Sequence, residues 1–211
     1  MKSITSFSPH LRANRSKHWL WLMTCFTILL GGINSYAQVH TSIVGTGTGS
    51  NGSQAFPCPL GNYYWGTKNQ FLVTAGELAS SNMGVNGEIS SVGFNVININ
   101  QLGTLENYAV KIYAVSSSDP LADDWHSGTP VAVGTIGNLT PTIGWNQLEL
   151  DTPYEWDGTS NLIIETCSHN SEWISDGNAS VEWTSTLSGA TFTRWYNADS
   201  AFECSTTDTM D

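Results

Sequence analysis

The chain has 211 residues, of which 40% are hydrophobic and only 12% are charged. All 18 acidic residues follow Gln38, whereas only Lys68, Lys111 and Arg194 are basic there, so this part carries a formal net charge of −15. Such a surface repels nucleic acid and anionic lipid, which excludes both as partners. The length is that of one ordinary domain behind a short leader.

The first 37 residues have the composition of a secretory signal peptide. An apolar run, Trp19–Ile33, follows five basic residues, and Ser35-Tyr36-Ala37 then offers small residues at the −3 and −1 positions. We expect cleavage after Ala37, which predicts a secreted or cell-surface protein without membrane insertion once residues 1–37 are removed. The alternative is a membrane anchor, which the short run and its Gly31-Gly32 break disfavour.

Residues 38–55 are predicted to form a Gly/Ser/Thr-rich leader strand and loop. Within them Gly47, Gly49 and Gly52 match a G-x-G-x-x-G string, the pattern of a dinucleotide-binding loop. Such a loop requires a preceding buried strand and a helix that opens at the glycines. Neither pattern is present, so low-complexity composition explains the string.

Two segments, Glu88–Asn98 and Asn107–Val115, alternate apolar and polar residues with a period of two, which is typical of half-buried antiparallel strands. Further strands are predicted at Asn69–Ala75, Pro130–Ile136, Ser180–Thr186 and Ala190–Tyr196, with a single helical turn at Ala75–Ala79. Turn residues separate them, and no amphipathic helix is evident. The pattern predicts an all-β fold over residues 56–204, an antiparallel two-sheet β-sandwich that is jelly-roll-like.

The segment Gly144–Cys167 is predicted to be a strand, a corner, a turn and a second strand. Pro153 is expected to end the first strand, because proline donates no ladder hydrogen bond. Asp157-Gly158 favours a turn, and Asn161–Thr166 suits a strand covered on both faces. Three tryptophans in strand-like context are assigned to the core: Trp145, Trp156 and Trp183.

The same segment carries a family resemblance. Its Thr-Pro-aromatic and Trp-Asp-Gly-Thr-Ser-Asn-Leu strings, before a strand that ends in Cys, resemble an N-terminal β-sandwich module of secreted and surface proteins from Bacteroidetes. The resemblance extends to Phe56–Leu60, Gln70–Leu78, Gly87–Val96, Ser180–Thr186 and Trp195–Asp199. In that family, fibronectin type III or immunoglobulin-like repeats often follow the module, and a type IX secretion sorting domain ends the chain. The resemblance implies an accessory module, with residues 205–211 as a truncated tail.

Three cysteines remain after leader cleavage, which is an odd number. An exported protein can form disulfides, and we expect Cys167, at a strand end, to pair with Cys204, beyond the last strand. Cys58 lies between two prolines and is expected to be free and packed. The alternative is three unpaired buried thiols.

The sequence contains no recognisable catalytic set. It has neither a G-x-S-x-G elbow nor an H-E-x-x-H helix. His40, His126 and His169 are interpreted as solvated loop residues, and Cys167 with His169 lacks an orienting third group. Glu149 and Asp151 are expected on one strand face, as an acidic composition would produce. We therefore predict that the chain is not an enzyme.

Cofactors are not indicated, although Ca²⁺ is an alternative because hard cations bind carboxylate and carbonyl oxygens in loops. The candidate ligands are Asp119, Asp123 and Asp124, with further oxygen-rich turns at Asp157 and at 176–178. The other interpretation is that these are simple turn residues.

Aromatic residues suggest a function, since nine Trp, seven Tyr and seven Phe are more than a thin sandwich easily buries. Exposed aromatics stack on sugar faces, and four candidates lie in or beside polar loops: Tyr64, Trp65, Trp125 and Trp173. We predict a non-catalytic extracellular module whose partner is a glycan or another cell surface. The alternatives are aromatics that only cover the end of the sandwich, and a structural spacer or accessory N-terminal domain of a larger secreted protease or hydrolase.

Overall fold

The computed structural model describes residues 41–116, 121, 124–184 and 192–199. They form nine strands and one short helix within a compact unit that begins at Ser42. These elements are β1 (Gly49–Ser50), β2 (Gly66–Val73), α1 (Ala75–Ser80), β3 (Glu88–Asn98), β4 (Leu105–Val115), β5 (Ala132–Leu139), β6 (Gly144–Glu155), β7 (Asn161–His169), β8 (Ser180–Trp183) and β9 (Thr193–Ala198).

The strands form two antiparallel sheets, in the orders β1-β8-β3-β6 and β5-β4-β7-β2-β9. Four of the pairs are β1–β8, β2–β7, β3–β6 and β4–β5, the pairs of one long hairpin that has been rolled up. Two sheets joined in this way are a jelly roll, and β9 extends the second sheet beside β2. The predicted jelly-roll-like sandwich is confirmed.

The core lies between the two sheets. Strand β7 is central in the five-stranded sheet and is buried over nearly its whole length, as its apolar sequence predicts. Leu162 and Ile164 point from it into the core, where they join Leu148 of β6 and the fully buried Trp156. Each such side chain contributes about 1.5–3 kcal/mol when it is removed from water.

Local sequence signals explain the helix and the corner. Thr74 and Glu77 form a capping box at α1, in which Glu77 N donates to Thr74 Oγ1 at 3.2 Å and Thr74 N donates to Glu77 Oε2 at 2.8 Å. At the corner, the amides of Thr159 and Ser160 both donate to Asp157 Oδ1 at 2.7 Å, and Gly158 has φ +80°. The predicted turn and helical turn are confirmed.

The prediction that Pro153 ends the strand was wrong, because β6 continues to Glu155. Tyr154 pairs with Ile89 and Glu149 pairs with Ser91, so the register shifts between these pairs. Pro153 lies within that irregularity, where the ladder requires no amide donor from it.

The assignment of Trp145 and Trp183 to the core was also wrong, whereas that of Trp156 is confirmed. Trp145 is 47% exposed and Trp183 is 49% exposed. Along β6, Asn146 and Leu148 face inward, so the period of two places Trp145 on the outer face. Asn146 is tolerated inside because its Nδ2 donates to Thr142 O at 2.7 Å and to Gly144 O at 2.9 Å.

Candidate functional site

The outer face of the five-stranded sheet, which points away from the core, carries a cluster of polar side chains. Strand alternation places Lys68 and Gln70 of β2 on this face, together with Glu165 of β7 and Lys111 of β4. The register sets Gln70 and Lys111 opposite Glu165, one on either side. These side chains are therefore neighbours, and all four are buried.

Glu165 is the centre of this cluster and is only 1% exposed. Lys111 Nζ lies 3.0 Å from Glu165 Oε1, and Lys68 Nζ lies 3.6 Å from Oε2. Gln70 Nε2 and the Tyr113 hydroxyl also donate to Oε2, at 2.7 Å and 3.4 Å. A buried carboxylate is tolerated only when charges and hydrogen bonds compensate it, and these four groups do so.

A loop segment covers the cluster and is fixed to the sheet beneath it. Gln70 Nε2 donates to His126 O at 2.8 Å, and His126 N donates back to Gln70 Oε1 at 2.9 Å. The Trp125 ring lies over Lys68, with Nζ 5.4 Å from its centroid, which is a cation–π contact. Trp125 is therefore held in place by the sheet.

The interpretation of His126 as a solvated residue was wrong. Its ring packs edge-on against Tyr113, with centroids 5.0 Å apart, and its burial lowers the pKa of the imidazole. His169 is the last residue of β7 and is half-buried, so it is not a loop residue either. His40 lies outside the described residues.

A shallow cleft of about 250 Å³ opens beside Trp125 and is lined by Trp125, Thr193, Arg194 and Trp195. Trp195 is 49% exposed. Arg194 is held at the wall of the cleft because its Nε donates to Leu121 O at 2.6 Å. Arg194 pairs with Gln70 and so shares the outer face of the sheet with Trp125, whereas Trp195 pairs with Asn69, so strand alternation directs its side chain to the other face. The cleft therefore offers the indole ring of Trp125 beside polar groups, which suits a polar ligand with a ring.

The four predicted aromatic candidates lie in two places. Trp125 lines the cleft. Elsewhere the ring of Tyr63 contacts those of Tyr64 and Trp173, with ring centroids 5.3 Å and 6.3 Å apart. Trp173 is 52% exposed, and Tyr64 and Trp65 are half-buried. Among the described residues, no ring contact connects Trp125 to the Tyr63 group.

Sequence reasoning missed the contribution of β9. Trp195 and Arg194 were not singled out, although they are consecutive residues on the last strand and line the cleft with Trp125. The available signal was the scarcity of basic residues after Gln38, which makes a tryptophan beside one of only three such residues conspicuous.

The candidate calcium ligands are only partly within the described residues. Asp124 is exposed, and its Oδ1 accepts from Trp125 N at 2.7 Å, whereas Asp119 and Asp123 lie outside the described ranges. Ser53 and Gln54 donate to Asp176 Oδ1 at 2.7 Å and 2.9 Å. No group of three His, Cys, Asp or Glu residues suited to a metal occurs in the part of the chain that the structure describes.

Cys58 is free and buried, as predicted, and burial raises the pKa of its thiol to about 12. Cys167 is buried and disulfide-bonded, whereas Cys204 lies outside the described residues, so their pairing stays a prediction. Glu149 and Asp151 point outward from the same face of β6, and Thr135 Oγ1 donates to Asp151 Oδ2 at 2.9 Å. Their shared face is as expected.

Comparison with known proteins adds no relative. No protein-family model, no curated protein and no solved structure matches this chain. The resemblance to a Bacteroidetes module therefore stays a prediction. Within residues 41–184 and 192–199, as far as these are described, no helix has the length and apolar character needed to cross a membrane.

Proposed function

We propose that this chain is a non-catalytic extracellular module of an exported bacterial surface protein, and that it binds a saccharide in the cleft beside Trp125. The observation that carries the proposal is the composition of this cleft, in which the indole of Trp125 lies on the same face as Arg194, with Thr193 and Trp195 also in the lining. The C–H faces of a sugar ring stack on indole rings, and its hydroxyl groups accept from N–H donors.

The contacts that hold Trp125 in place favour a binding role for this side chain over chance exposure to solvent. Trp125 is held from below by Lys68, and the loop that carries it is bonded to Gln70 through His126. A site fixed before the ligand arrives loses less conformational entropy on binding. A flexible exposed tryptophan would lack this advantage.

Export is part of the proposal and rests on the order of basic, apolar and small residues in residues 1–37. Sequencing the N-terminus of the secreted protein should give Gln38 as its first residue. A membrane-bound protein that retains Met1 would contradict it. The module would then act in adhesion, or as an accessory domain of a larger exported protein.

A structural spacer is the second candidate. Tyr64 and Trp65 favour it, because both are half-buried. In addition, Trp65 O accepts from Asn170 N at 2.7 Å, which joins two loops at one end of the sandwich. A spacer needs no ligand, so binding assays distinguish the two candidates.

A glycan array probed with the purified protein tests the proposal. Trp125→Ala should weaken binding by about 1–3 kcal/mol, which is the scale of one buried aromatic side chain. Trp145→Ala is the matched control, because Trp145 is similarly exposed but lies on the outer face of the other sheet. Equal binding by both variants, or no binding to any glycan, would favour the spacer.

A further inference from the structure

The outer face of the four-stranded sheet carries charge of one sign only. Its strands β1, β3, β6 and β8 contain no lysine or arginine. All three basic residues after Gln38 lie in strands of the other sheet. Strand alternation directs four exposed glutamates outward from this face: Glu88, Glu149, Glu155 and Glu182. These carboxylates therefore have no basic neighbour within their own sheet.

Two of these glutamates face each other. Glu88 and Glu155 are paired at one end of the β3–β6 ladder. Side chains directly opposite in antiparallel strands have Cβ atoms about 4.5–5.5 Å apart, and like charges at that distance destabilise a sheet. Glu149 is exposed on the same face, opposite Ser91. Because the fold gains no stability from this concentration of negative charge, a role outside the fold accounts for it.

Apolar side chains are exposed at the other end of the same two strands. Trp145 on β6 and Ile97 on β3 are each 47% exposed. The last pair of the ladder is Val96 with Gly144, so Ile97 and Ile143 are the residues next to it, and Ile143 is 70% exposed. Neighbouring apolar residues that are exposed beside polar ones mark surfaces that bind a partner.

A single row of the ladder separates the apolar end from Glu149, and it carries only one side chain. Gly93 on β3 pairs there with Gln147 on β6. Trp145 precedes Glu149 by four residues on β6, and a rise of about 3.3 Å per residue places them about 13 Å apart. An extended peptide covers this distance with about four residues, so one short segment can contact both ends.

We propose that this face is a docking surface for a segment of another protein that is basic at one end and apolar at the other. The basic side chains of the segment lie against Glu88, Glu149 and Glu155. Its apolar side chains cover Trp145 and Ile97. A second copy of this chain does not fit, because the same face of that copy is acidic as well. The surface lies on the opposite side of the sandwich from the saccharide cleft, so it does not depend on saccharide binding.

Isothermal titration of the purified protein with a blocked synthetic peptide tests the proposal. The peptide has three Ile-Thr repeats followed by three Lys-Thr repeats, and a second peptide with glutamate in place of lysine is its charge control. The lysine peptide should bind, and Glu88→Gln/Glu155→Gln should weaken its binding about fivefold, the scale of two exposed ion pairs. Glu172→Gln/Asp199→Asn is the matched control, because it removes the same charge from exposed residues outside this face.

The apolar end is tested with the same peptide. Trp145→Ala should weaken binding about tenfold or more, as removal of a central tryptophan does in protein interfaces, whereas Trp173→Ala, which removes a tryptophan that is 52% exposed elsewhere, should not. The Glu88→Gln/Glu155→Gln variant should melt at or above the temperature of the unaltered protein, since it loses a like-charge pair. A lower melting temperature would contradict the proposal, because the pair would then support the fold. Equal weakening by both double variants, equal binding by both tryptophan variants, comparable binding of the glutamate peptide, or no binding of the lysine peptide would each overturn it.

Discussion

Replacing Glu165 by Gln should destabilise the protein severely. Glu165 is the shared partner of Lys68 and Lys111, and the substitution leaves two buried ammonium groups facing a neutral amide. The loss of one partner from a buried ion pair typically costs about 3–5 kcal/mol, because the remaining charge stays desolvated. Glu165 is 1% exposed, so solvent screening reduces this cost little.

The effect is measurable by urea denaturation or by thermal melting. For a domain of this size, 1 kcal/mol corresponds to roughly 2–4 °C in melting temperature, so Glu165→Gln should lower it by about 6–20 °C. The total stability of a domain is about 5–15 kcal/mol, so a large part of it would be lost. The attachment of the Trp125 loop to the sheet should weaken as well, since Gln70 Nε2 donates both to Glu165 Oε2 and to His126 O.

Glu149→Gln provides the matched control, because Glu149 is an exposed carboxylate on β6. Surface substitutions of this kind change stability by at most about 0.5 kcal/mol. If Glu165→Gln behaved like the control, with a loss below about 1 kcal/mol, the interpretation of Glu165 as the compensating charge of the two lysines would be refuted.

Three further predictions concern titration and covalent structure. Hydrogen bonds from Ser160 and Thr159 lower the pKa of Asp157 from 3.8 to about 2. Asp157→Ala should therefore be less stable than the unaltered protein above about pH 4, and this difference in stability should vanish as the pH falls through about 2. Denaturation at several pH values measures the difference. Burial lowers the pKa of His126 below 6.5, so the folded state binds fewer protons at this imidazole than the unfolded state does. The stability of the protein should therefore fall as the pH drops below 6.5. A pKa at or above 6.5 in an NMR titration of the imidazole would contradict this. Peptide mapping without reduction should recover a Cys167–Cys204 linked peptide, and a linked peptide that joins Cys58 to either cysteine would contradict the pairing.

Regular alternation made the strands predictable. The bounds of β3, Glu88–Asn98, agree with the sequence prediction because apolar and polar residues alternate over its length. The corner at Asp157-Gly158 was predictable from turn chemistry alone, since its hydrogen bonds are local. Trp145 was misplaced because residue type was given more weight than position, and strand parity fixes Leu148 and Trp145 on opposite faces.

The cleft and its supporting cluster could not be predicted in the same way. Gln70 and Glu165 are 95 residues apart, and only the pairing of β2 with β7 makes them neighbours. Arg194 lies on the same face as Trp125 because β9 adds to the edge of the sheet beside β2. Long-range register of this kind depends on the whole fold, whereas sequence patterns report mainly local structure. Trp125 was found because an aromatic residue in a polar loop is conspicuous by itself.

A titration of the purified protein with carboxylated and neutral oligosaccharides, followed through the indole N–H resonances, would locate the binding site directly. The resonance of Trp125 should shift on saturation, while those of Trp145 and Trp173 should stay in place. Shifts confined to Trp173 would place the ligand at the Tyr63 group instead, and an unchanged spectrum with every saccharide would contradict a binding role for the cleft.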